Sequence, residues 1–72
     1  MTVLDTVEDG TRLGRYVLLR DVEGRRHALA ATSVVALSET DAGDTLLYLP
    51  GGRMLRIATP LATALAWITP GS

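Results

Sequence analysis

Five short apolar runs, each closed by turn-forming residues at nearly even spacing, constrain this 72-residue chain more than any other feature. They occupy residues 15–20, 25–30, 33–38, 45–49 and 53–58. The turns between them are Asp21-Val22-Glu23-Gly24, a corner at Ala31-Thr32, Thr40-Asp41-Ala42-Gly43-Asp44 and Pro50-Gly51-Gly52. Runs of this length and spacing read as antiparallel β-structure. The expected fold is mainly β: a five-stranded antiparallel meander or small SH3-like barrel, carrying one short C-terminal helix. Residues 1–12 are polar and acidic and read as a flexible N-terminal arm or a short edge strand. Residues 13–69 make a single domain.

Turn length sets strand register, and register decides which side chains point inward. Pro50-Gly51-Gly52 suits a three-residue hairpin loop, with proline opening a type I turn and Gly52 in the left-handed position. Leu49 then faces Arg53, Leu47 faces Leu55 and Thr45 faces Ile57, which puts Leu47, Leu49, Leu55 and Ile57 on one core face. The same reasoning at Val22-Glu23-Gly24 pairs Leu19 with His27 and Val17 with Leu29. In the middle strand the inward residues are Val35 and Leu37, or Val34 if the corner shifts the register.

After Ile57 the pattern changes. Thr59 fits an N-cap and Pro60 the first helical position, so the helix is expected over residues 60–68 and ends at Thr69-Pro70-Gly71. Between Leu61 and Ile68 only Thr63 is polar, and a short helix that is apolar all round needs cover on more than one side. Leu46, Tyr48 and Met54 fall on the outer face of the last hairpin, where a half-exposed sheet is normally polar. One core of 72 residues cannot cover all of this surface. A partner is therefore expected, most simply a second copy, with Tyr48, Met54, Leu61, Leu65, Trp67 and Ile68 as the interface.

Composition narrows the chemistry. Cysteine is absent, so there is no disulfide, thiolate zinc site or cysteine nucleophile. Seven arginines against eight acidic residues leave a net charge of −1, with no global basic field to attract nucleic acid. The uncharged stretch over residues 57–72 is shorter than the ~18 residues of a membrane span and holds two prolines. The N-terminus lacks the basic start and apolar core of a signal peptide, which makes the cytoplasm the expected location.

His27 is the only imidazole and has no second histidine or cysteine to complete a metal site. It reads as a hydrogen-bonded side chain at the edge of the core. Ser33 and Ser38 lie outside any nucleophile-elbow pattern, and Glu39, Asp41 and Asp44 do not follow calcium-loop spacing. Neither an enzyme, a cofactor nor a metal is expected. The acidic turn is placed at the same end of the meander as Arg25 and Arg26. Arg20 and Arg26 face each other across the hairpin, and Arg56 joins them if the last strand curls back to the first. This arginine trio is a candidate anion site for a nucleotide, RNA or DNA, with Tyr16 or Tyr48 available for stacking.

The residues from Gly24 through Leu29, then Val34, Leu37, Glu39-Thr40, Asp44-Thr45, Leu47, Leu49, Gly52, Leu55 and Ile57 resemble the small flagellar proteins of the FlbD/SwrD type. The likeness covers roughly residues 18–65 and needs a turn two residues longer near Ala42-Gly43. Gly51-Gly52 stands where that family has asparagine-glycine, His27 where it has a large apolar residue, and the apolar helix where its helix is charged. The outline is also similar to part of a LytTR-type DNA-binding domain. The flagellar resemblance implies a cytoplasmic bacterial protein with a regulatory or motor-associated role and no catalytic residues. Together these readings describe a non-catalytic protein-interaction module that self-associates. The alternative is a nucleotide- or nucleic-acid-binding module using the arginines.

Overall fold

The computed structural model describes residues 8–69. They form β1 (Thr11–Leu13), β2 (Tyr16–Arg20), β3 (Arg26–Ala30), β4 (Ala36–Glu39), β5 (Thr45–Leu49), β6 (Arg53–Ile57) and helix α1 (Leu61–Ile68). The strands make two antiparallel three-stranded sheets, ordered β1-β2-β3 and β4-β5-β6. The mainly β class with a C-terminal helix agrees with the sequence reading. The single five-stranded meander does not: there are six strands, in two sheets.

Two local features account for the difference. Gly14, at φ +61°, opens a two-residue turn with Arg15 that folds Thr11–Leu13 back onto β2. Of the acidic arm expected over residues 1–12, residues 1–7 lie outside the described residues, and its end is this edge strand. The second feature is a 3₁₀ turn over Ala31–Ser33, where the Ser33 hydroxyl donates to the Ala30 carbonyl at 2.7 Å. That bond takes an acceptor the strand would otherwise offer along its edge. The chain then crosses to the other sheet, so β3 and β4 do not pair.

Both hairpin registers are as the turns dictate. Leu19 faces His27 and Val17 faces Leu29, while Leu47 faces Leu55 and Thr45 faces Ile57. Gly24 (φ +87°) occupies the left-handed position of the first loop. In the second loop Gly51, at φ 80° and ψ 17°, is already left-handed. This is the third-position geometry of a type II turn rather than the expected type I.

Val17, Leu19, Leu47, Ile57, Ala31 and Ala64 are buried together, with Leu29, Leu37, Leu55, Trp67 and Ile68 packed around them. Val35 is not among them: it is 70% exposed, because β4 begins only at Ala36 and the corner sets the preceding backbone. Val34 and Leu37 are half-buried. Thr45 is fully buried without polar cost, since its hydroxyl donates to the Thr59 carbonyl at 2.6 Å. Thr59 is thus tied to β5 and is not the helix cap. Pro60 holds that position, its carbonyl accepting the Ala64 N–H at 3.0 Å, so the helix starts one residue later than expected.

Candidate interaction surfaces

Strand alternation builds the outer face of β4-β5-β6. Ala36 faces Tyr48 and Tyr48 faces Met54, while Ser38 faces Leu46 and Leu46 faces Arg56. Met54 is 57% exposed, and the Tyr48 hydroxyl lies 3.0 Å from the Ser38 hydroxyl, which fixes the ring over the sheet. Val35 lies beside this row, its N–H donating to the Tyr48 carbonyl. The one charge on the face, Arg56, is neutralised by a forked contact: its Nε and Nη2 each lie 2.9 Å from Asp44 Oδ2. The face is therefore apolar and electrically quiet.

The helix residues expected at an interface divide. Leu65 is half-exposed. Leu61 is half-buried, and Trp67 and Ile68 pack against the chain's own core. Trp67 closes on Gly10, and its carbonyl accepts the Arg12 Nε–H at 3.1 Å, tying β1 to the end of α1. A second exposed apolar row, absent from the sequence reading, joins Leu13 to Tyr16 on the β1-β2-β3 sheet. It is not neutral, since the Arg15 guanidinium sits 5.4 Å from the centre of the Tyr16 ring.

The expected arginine trio is brought to one end of the molecule. Arg20 and Arg26 are cross-strand partners, and the Arg56 carbonyl accepts the Val22 N–H at 2.9 Å. Each of the three arginines has a partner, however. Arg20 lies 3.8 Å from Asp9, Arg56 is held by Asp44, and Arg26 is also engaged. The acidic turn does come to this end, but it meets Arg56 rather than Arg25, which lies 3.7 Å from Glu23.

On the open side between β3 and β6 lie two adjoining hollows, of about 320 and 390 Å³. His27, Leu29, Leu49 and Arg53 line both. Asp21 organises one end. Its carboxylate accepts the Glu23 and Arg25 N–H groups at 2.9 and 3.0 Å, and the His27 Nε2–H at 2.8 Å. The bond from His27, seconded by the two backbone donors, holds the Asp21 carboxyl below the usual carboxylate range against the opposing effect of desolvation. Among the described residues the Arg53 guanidinium has no hydrogen bond or ion pair. Sequence reasoning passed over it, although the register it derived set Arg53 opposite Leu49 on the inward face. A charged residue and a histidine on core-facing positions of two hairpins were the available signal.

No helix of the described residues is long and apolar enough to cross a membrane. Compared with family models, curated proteins and solved structures, the chain matches none.

Proposed function

We propose that the chain is a non-catalytic interaction module that pairs with a second copy of itself through the outer face of β4-β5-β6. The observation that carries this reading is the Tyr48–Met54 cross-strand pair on an apolar face whose only charge is neutralised internally. A face without net charge has no electrostatic preference for a charged partner and meets its own copy without repulsion, as a two-fold contact requires. The Leu13–Tyr16 row suits this less well, with a guanidinium against its tyrosine.

The geometry also sets the strength of the pairing. One four-residue and two five-residue strands present a face of at most about 14 by 17 Å. That is well below the ~800 Å² per partner of a stable complex, so the dimer dissociates in the micromolar range or above. Sedimentation equilibrium tests the reading directly. The wild-type chain moves from monomer towards dimer as it is concentrated to several hundred micromolar (roughly the range such a contact allows), and Met54→Glu stays monomeric. A wild-type chain that remains monomeric throughout would reject it.

A further inference from the structure

The backbone ladders show which polar groups face the groove between β3 and β6. The Asp21 N–H donates to the Arg25 carbonyl and the Ala31 N–H to the Arg15 carbonyl, so Arg25, His27, Leu29 and Ala31 face β2. Arg26, Ala28 and Ala30 therefore face the open side. On β6 the Arg56 carbonyl points away from β5, towards Val22. Met54, two residues earlier, presents its N–H and C=O along that same edge. The 21–25 turn thus supplies β6 with one strand-like bond, and the next position along the edge is open.

Leu29, Leu49 and Leu55 are half-buried in the groove wall. The charged groups around them have partners: Arg25 lies beside Glu23, Arg56 beside Asp44, and the Asp21 carboxylate is held by His27 and two backbone N–H groups. Arg53 is left over, on the same inward face as Leu55. An unpaired sheet edge beside an apolar wall and one uncompensated guanidinium is complementary to an extended chain that is apolar and acidic on one face.

We infer that this groove binds an acidic, extended peptide segment of a partner protein, added as a strand to the free edge of β6. The peptide main chain pairs with the Met54 N–H and C=O. One apolar side chain packs against Leu29, Leu49 and Leu55, and a carboxylate two positions away meets Arg53. The recognised pattern is therefore an apolar residue and an acidic residue separated by one, as the two-residue period of a strand demands.

The test is fluorescence anisotropy of a labelled Ser-Thr-Val-Thr-Glu-Thr peptide titrated with the full chain. Arg53→Glu weakens binding by about tenfold or more, equivalent to ~1.4 kcal/mol. Replacing the peptide's glutamate with lysine does the same, and the lysine peptide regains affinity for the Arg53→Glu chain. Met54→Pro, which removes an edge-facing N–H at a position where strands tolerate proline, abolishes binding, whereas Met54→Ala retains it. If Met54→Pro proves unfolded by circular dichroism, the charge exchange at Arg53 decides alone. Equal binding by wild type and Arg53→Glu overturns the proposal. So does failure of the wild type to bind at about 1 mM peptide, the limit of weak recognition, or binding of a polyuridine oligonucleotide and not of the peptide. The outer face of β4-β5-β6 is read by sedimentation and the groove by the charge exchange at Arg53 in a peptide titration, so either can fail without the other.

Discussion

Gly10 turns the chain at φ +89° directly beneath the Trp67 indole, where a Cβ would overlap Cε2 and Nε1. Two costs combine in Gly10→Ala: a left-handed backbone for a residue with a Cβ, and displacement of a packed tryptophan. The expected loss is about 2–4 kcal/mol, read as a lower urea midpoint at unchanged slope. Asp21 carries a different dependence. Its carboxyl titrates below the ordinary value because the folded state donates three hydrogen bonds to the ionised form. Its contribution is thus complete above the unfolded value of about 3.9 and is lost as pH falls through the lower, folded one. Thermal melts between pH 7 and pH 2 should show the wild type losing more stability in acid than Asp21→Asn does. Parallel curves for the two proteins would contradict this role.

The hairpins illustrate how far an element can be read from its residues. The β2-β3 and β5-β6 registers were legible because a three-residue loop with a late glycine leaves one pairing, and the alternating leucines then have one buried face. The return of β1 was less visible. Its strand is only Thr11–Leu13, yet Gly14-Arg15 between Leu13 and Tyr16 is itself a two-residue hairpin signal. The split into two sheets was not legible, because it occurs at the 3₁₀ corner Ala31–Ser33, where Ser33 bonding Ala30 is one of several local options open to a serine after a strand. The helix start was misplaced by one residue, because Pro60 and not Thr59 stands at the cap, while the Thr59 carbonyl accepts the Thr45 hydroxyl. That bond joins β5 to the segment before α1 and is a test in its own right. Thr45→Val keeps the volume but leaves the Thr59 carbonyl without its donor, with an expected cost of about 1–3 kcal/mol in chemical denaturation. At the candidate groove, the positions of His27 and Arg53 were legible, but the absence of a counter-charge near Arg53 depends on which acid each other arginine meets in space.

At the scale of the whole molecule, a chain this short has little interior. Its core is a handful of aliphatic side chains between two small sheets, capped by one eight-residue helix, and such domains gain from a partner that covers apolar surface. The outer face of β4-β5-β6 and the open side between β3 and β6 are different in kind. The first is apolar and neutral, the character proposed for contact with its own copy; the second combines backbone, apolar and cationic features, the character proposed for an acidic strand. The most direct measurement is a dilution series of amide nitrogen–proton correlation spectra of the wild-type chain. The amides of Ala36, Tyr48 and Met54 are expected to shift with concentration, and the same dilution is expected to leave those of Leu13 and Tyr16 in place. Spectra that do not change with concentration, or changes centred on Leu13 and Tyr16, would contradict pairing through the outer face of β4-β5-β6.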